Sequence, residues 1–114
     1  MKEIKVRAWT GSAYLYDVVP IFASNHIIES HPLAGFKLRE VECFELYTGL
    51  KDKNGVDIYE GDVVKDQWKN IHEIVFEDGS FYAKNKDPEE SINPYHEEAI
   101  IKVIGNIYEN PELI

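Results

Sequence analysis

The amino-acid sequence predicts a mainly β protein: a compact SH3-like barrel preceded by an N-terminal β-hairpin or sheet extension, with at most one short helix. Three observations carry this. Short runs alternating between apolar and polar residues recur along the chain, the signature of half-buried strands. Turn dipeptides separate them, Asn54-Gly55 being the strongest. Three short strands with short connections then follow Gly61-Asp62, the pattern of a small, strongly bent barrel.

Residues 4–9 place Ile4, Val6 and Ala8 on one side and Lys5, Arg7 and Trp9 on the other, the period of a strand. Thr10-Gly11-Ser12 is a turn. The aromatic and β-branched segment Ala13-Tyr14-Leu15-Tyr16-Asp17-Val18-Val19 completes a hairpin that Pro20 closes. Residues 21–35 have no clean period, and His31-Pro32 and Gly35 break any long element. Ile27 and Ile28 there anchor a loop, a short strand or a helical turn on the core. Residues 36–50 are strand-like again, with Val41, Cys43 and Glu45 opposing Glu42, Phe44 and Leu46.

Asn54-Gly55 joins 48–51 to 56–59, since both residues accept the positive φ of a tight hairpin. Val63-Val64-Lys65, residues 71–77, a turn at Asp78-Gly79 and residues 80–84 follow. Asp87 suits an N-cap, with Pro88 in the first position and acids in the first turn, and Pro94 ends any helix within two turns. A loop over the barrel mouth is the equal alternative. Residues 99–108 form the most apolar strand, with Ile101, Val103 and Gly105 alternating against Ile100, Lys102, Ile104 and Asn106. It is long enough to bend at Gly105 and serve two sheets. No segment repeats and no flexible linker divides the chain, so one domain is expected, residues 1–60 as the N-terminal β subregion and 61–114 as the barrel.

A chain of 114 residues, 44% hydrophobic and 29% charged, has the composition of a folded domain with one modest core. Asp and Glu number 21 against 12 Lys and Arg, a net charge of −9. That field repels phosphate backbones and disfavours generic nucleic-acid binding. It serves solubility, imitates DNA for a DNA-binding protein, or docks on a basic partner. Cys43 is the only cysteine, which excludes an internal disulfide, fits a reducing cytoplasm and is expected to be buried as a small hydrophobe. No apolar run approaches the ~18 residues that span a bilayer, and Met1-Lys2-Glu3-Ile4-Lys5 has no signal-peptide core. A cytoplasmic protein without membrane insertion is expected.

The chemistry-bearing residues form no recognisable constellation. His26, His31, His72 and His96 are scattered, and no zinc spacing is present, so neither metal nor cofactor is expected. Gly49-Leu50-Lys51-Asp52-Lys53-Asn54-Gly55 lacks the spacing and the following helix of a phosphate loop. Ser12 and Ser80 sit in hairpin turns rather than on a strand-to-helix elbow. Glu60 with Asp62, or Glu97 with Glu98, are acid pairs that abundance alone explains. The aromatics Trp9, Tyr14, Tyr16, Tyr47, Tyr59, Trp68, Phe81, Tyr82 and Tyr108 supply core mass, and an SH3-like groove lined by some of them takes a peptide. Lys65, Lys69, Lys84 and Lys86 would assist base stacking but are outnumbered by nearby acids, which ranks a protein partner above nucleic acid.

Three blocks carry a resemblance: Ile4-Lys5-Val6-Arg7-Ala8-Trp9, the run from Tyr47-Thr48-Gly49 through Tyr59-Glu60-Gly61-Asp62-Val63-Val64, and Val103-Ile104-Gly105-Asn106-Ile107-Tyr108-Glu109-Asn110-Pro111. Together they resemble the YopX family of small phage and prophage proteins. The resemblance implies a compact, largely β fold with an SH3-like barrel and brings no catalytic residues. In structural terms Gly49, Gly55, Gly61 and Gly105 serve turns or bends, and Trp9, Tyr59 and Tyr108 pack between sheet and barrel. As a binding epitope, the blocks offer Arg7, Asp52, Lys53 and Glu60 as exposed charges, with Trp9 and Tyr59 beside them.

The leading expectation is a non-enzymatic accessory protein that binds a host or phage protein, in regulation. The alternatives are an acidic DNA mimic that inhibits a host DNA-binding protein, a single-stranded nucleic-acid binder, and an enzyme whose groups converge from distant positions. Edge strands also admit pairing between copies, so a homo-oligomer is open.

Overall fold

The computed structural model describes residues 5–33, 35–96 and 100–114. The fold is mainly β, with curled sheets forming a half-barrel. The chain divides into two units, Met1–Tyr47 and Thr48–Ile114. Among the described residues the helical segments are three single 3-10 turns, Phe22–Ser24, Pro88–Glu90 and Pro111–Leu113. Among the described residues no helix is long and apolar enough to cross a membrane.

In the first unit, β1 (Val6–Trp9) pairs antiparallel with β2 (Tyr14–Leu15) through Ala8↔Leu15 and Trp9↔Tyr14. Its other edge pairs with β6 (Cys43–Lys51), from Val6↔Leu46 to Trp9↔Cys43. All four residues of β1 are buried, not only Val6 and Ala8, because both faces are covered: Ala8 packs with Ile27 and Val41, and Arg7 and Trp9 lie against the Tyr14 ring. The expected polar face of this strand is therefore corrected: Arg7 lies inside, and Ile4 lies outside the described residues. Thr10 shapes the β1–β2 turn, its Oγ1 accepting the N–H groups of Ser12 and Ala13.

The expected second strand of the hairpin stops at Leu15, because Asp17 takes a positive φ of 55°. Pro20 does not close the segment. It sits within β3 (Val19–Ile21), opposite Ile27 of β4 (His26–His31). Residues 21–35 thus hold a 3-10 turn and a six-residue strand, and β4 continues through a turn at Pro32 into β5 (Gly35–Glu40). The strand expected over 36–50 is two strands, broken at Val41, which is buried and whose N–H donates to the Asn25 carbonyl at 2.8 Å. Ala8, Ile27 and Val41 form the core of this unit, with Leu15, Val18 and Phe44 packed against them. Cys43 is half-buried.

In the second unit β6 runs on to Lys51 and has β7 (Asp57–Tyr59) as its neighbour. A four-stranded antiparallel sheet follows, in the order β10-β9-β8-β11: β8 (Asp62–Asp66), β9 (Ile71–Glu77), β10 (Ser80–Lys84) and β11 (Ile101–Asn106). The expected bend in β11 is a bulge between Val103 and Gly105, and the strand pairs with β8 alone among the described strands. Asp87 caps the 3-10 turn Pro88–Glu90, its side chain accepting the Glu89 N–H. Ile58, Val64, Ile74, Ala83 and Ile101 are the buried core, each larger aliphatic contributing roughly 1.5–3 kcal/mol by leaving water.

Candidate functional site

The segment between β6 and β7 is built around one carboxylate. Asp52 Oδ1 accepts the N–H groups of Asn54 and Val56 at 2.8 and 2.9 Å. Its Oδ2 accepts the Val103 N–H at 2.9 Å, and the Lys53 N–H donates to the Ile101 carbonyl at 3.0 Å, so the loop is fastened to β11. Gly55 supplies the positive φ of 81°, while Asn54 does not adopt one. The turn closes with Asp52 N–H on the Val56 carbonyl and Gly55 N–H on the Asp52 carbonyl, a longer loop than the two-residue hairpin expected. Burial works to raise the Asp52 carboxyl. The N–H groups of Val103, Val56 and Asn54 and the charge of Lys102 outweigh it and hold the group below its ordinary value.

This fastening creates a cleft of about 350 Å³, lined by Leu50, Lys51, Asp52, Lys53, Ile58, Pro94, Tyr95, His96, Ile100 and Ile101. Ile58 and Ile101 are core residues, so its base is apolar. Tyr95 donates its hydroxyl to the Thr48 carbonyl at 2.8 Å, and burial pushes the phenol above its ordinary value. Lys51 is paired with Asp57 at 2.6 Å. Lys53 is exposed, and its ammonium has no partner among the described residues. The arrangement offers an apolar seat beside an exposed lysine.

The same loop is built a second time between β8 and β9. Asp66 Oδ1 accepts the N–H groups of Trp68 and Asn70 at 2.8 and 2.9 Å, and Lys69, at φ 69°, stands where Gly55 stands in the first loop. Asp66 Oδ2 accepts from His72 Nε2 at 2.8 Å. Burial works to raise the Asp66 carboxyl, and the bonds from His72, Asn70 and Trp68 outweigh it and hold the group down. A histidine–carboxylate couple has acid–base chemistry, but His72 is 0% exposed and its Nδ1 has no hydrogen-bond partner among the described residues. No substrate atom reaches it, and the pair is structural.

The family model described as YopX protein matches residues 7–114. The chain belongs to the YopX family. Among solved structures, this YopX-family chain is similar to protein EF1440 from Enterococcus faecalis, with 31% identity, 99% of each chain covered and a TM-score of 0.63. It shares its fold with protein yopX from Bacillus subtilis, at 23% identity, 96% of this chain and 97% of that one, and a TM-score of 0.72. No curated protein matches it.

The YopX-family blocks place the six residues expected as an epitope on both units. Arg7 and Trp9 lie in the first, and Asp52, Lys53, Tyr59 and Glu60 in the second. Two of the four charges expected at the surface are not there. Arg7 is 3% exposed, its guanidinium 4.0 Å over the Tyr14 ring and its Nε donating to Glu45 Oε1 at 3.0 Å. Asp52 is 7% exposed because its carboxylate is consumed by backbone N–H groups. Trp9 is buried with its ring centroid 4.9 Å from that of Tyr14. Tyr59 is buried, its N–H donating to Asp62 Oδ2, and Glu60 is half-exposed on the same turn. Of the six, Asp52 and Lys53 line the cleft. Its other wall, Pro94, Tyr95 and Ile100, is missing from the sequence reading, since 47 residues separate Tyr95 from its partner Thr48 and no local pattern links them. Glu97 and Glu98, one of the acid pairs considered, lie outside the described residues.

Proposed function

We propose that this YopX-family chain is a non-enzymatic binding protein of phage or prophage origin whose partner is another protein. The observation that carries the proposal is the cleft between the β6–β7 loop and the residues Pro94, Tyr95, His96, Ile100 and Ile101: an apolar base with Lys53 exposed beside it. Its volume of about 350 Å³ is at the small end of ligand pockets, suited to one bulky apolar side chain rather than a cofactor. The Lys53 ammonium favours a carboxylate next to that side chain.

Affinity capture with the tagged full chain from nuclease-treated host lysate, with and without phage induction, tests this. Wild-type protein is expected to retain a stoichiometric protein partner that the Lys53→Glu and Ile100→Asp variants lose while keeping the wild-type circular dichroism spectrum. Recovery of nucleic acid alone, or a partner indifferent to both substitutions, would refute the cleft. A second reading rests on the net charge of −9, by which the surface imitates DNA. It requires a partner that duplex DNA displaces and that salt weakens.

A further inference from the structure

We propose that β5 is a docking edge for an extended segment of a partner protein in which apolar residues alternate with acidic ones. The proposal stands on the first unit alone and is independent of the cleft. The sheet order β3-β4-β5 places β5 at the end, and among the described strands β5 pairs only with β4. All six of its residues are exposed. The register with β4 runs from His26↔Glu40 to His31↔Gly35 without a shift. Edge strands are ordinarily shielded by a bulge, a proline, a covering strand or charged side chains; among the described residues β5 has no bulge, proline or second strand partner, and its shield is the charge of Lys37 and Arg39.

The side chains of β5 sort by the period of two. Phe36 and Leu38 lie on one face, 60% and 54% exposed. Leu38 continues a row across the sheet through Ile28 to Val19, both also exposed, so the edge borders an apolar strip three strands wide. Lys37 and Arg39 lie on the other face and share a single carboxylate, Glu29, at 3.7 and 3.3 Å. Two cations against one acid make this face of the edge locally positive on a chain of net charge −9, while Glu40 lies on the face of Phe36 and Leu38.

That pattern selects the occupant. A second copy adding its own β5 antiparallel has three registers that keep apolar residues opposite one another. Pairing Phe36 with Phe36 overlaps the two strands over residues 35–37 only. Pairing Phe36 with Leu38 sets Lys37 against Lys37, and pairing Leu38 with Leu38 sets Lys37 against Arg39. Like charges directly opposite are destabilising. A strand with Asp or Glu at those places and aliphatic residues between them satisfies both faces and completes the open backbone hydrogen bonds, the β-addition mode of peptide recognition.

The test uses the full chain and two fluorescent probes measured by anisotropy: a heptapeptide alternating valine with glutamate, and one alternating valine with lysine. Wild-type protein is expected to bind the glutamate peptide at least about tenfold more tightly, with affinity falling as salt rises. The Lys37→Glu/Arg39→Glu variant is expected to reverse that preference, a gain of binding that misfolding cannot produce. Equal binding of the two peptides, or no binding of either at about 1 mM, overturns the proposal. So does wild-type self-association in sedimentation that Leu38→Ser abolishes, since the edge would then belong to a second copy.

Discussion

Replacing Asp66 by alanine removes one side chain and leaves three donors to be satisfied. The Trp68 and Asn70 N–H groups lie on an open loop and regain water, each losing a bond worth about 0.5–1.5 kcal/mol. The His72 ring is fully buried with one nitrogen already unpartnered among the described residues, so its Nε2–H loses its Asp66 acceptor without access to solvent. An orphaned buried donor costs about 1–3 kcal/mol. The expected loss for Asp66→Ala is therefore about 2–6 kcal/mol, a large share of the ~5–15 kcal/mol typical of a domain. Asp66→Asn keeps an acceptor for the two loop amides and is expected to cost only about 1–2 kcal/mol. Urea unfolding at pH 7 followed by far-ultraviolet circular dichroism measures both. An alanine variant within about 1 kcal/mol of wild type, or an asparagine variant as damaged as the alanine one, would refute this account of the loop.

Asp52 and Asp66 are both held below their ordinary value of 3.8, so their contribution is present above about pH 4 and lost as pH falls through the folded values. Urea midpoints at pH 3, 4, 5 and 7 are expected to drop at the acid end for wild type and to vary less for Asp52→Asn/Asp66→Asn. Lys69 adopts the left-handed conformation that Gly55 adopts in the twin loop, so Lys69→Gly is expected to stabilise by roughly 0.5–1 kcal/mol and Gly55→Ala to destabilise by about 1 kcal/mol, read from the same midpoints. A methyl group on Gly105 would meet Asn110 Oδ1 at 2.6 Å and Leu113 Cδ1 at 2.8 Å. Gly105→Ala is expected to push Asn110 off the Asn106 N–H, cost about 1–2 kcal/mol and speed hydrogen exchange at the Asn106 amide.

Features that depend on neighbours in the chain were legible. β9 and β10 occupy residues 71–77 and 80–84 as the alternation indicates, because Asp78-Gly79 adopts the two positive φ angles of a tight turn between them. The Asp87-Pro88 start was equally local. Features set by distant partners were not. Arg7 reads as a surface charge until Glu45, 38 residues away, is brought opposite it on β6. Asp52 reads as a solvated turn acid until Val103, 51 residues away, donates to it. The β4–β5 hairpin is hidden because Ile27 and Ile28 are both apolar, one entering the core and the other facing solvent, which erases the period. The second Asp-anchored loop left a usable trace, an aspartate four residues before its closing partner as in Asp52 and Val56, but Lys69 masks it where glycine would have marked the turn.

The two tryptophans fall one to each unit and in opposite surroundings. Trp9 is buried in the first, while Trp68 stands 68% exposed at the tip of the Asp66 loop. Trp68 already emits from water, so the emission shift on denaturation comes from Trp9 and tracks residues 1–47 alone, whereas the far-ultraviolet signal sums the strands of both units. Superimposable transitions from the two signals would mean that the units melt as one cooperative body. A fluorescence transition that stays in place when Asp66→Ala moves the dichroism transition would mean that each half of the chain holds itself together.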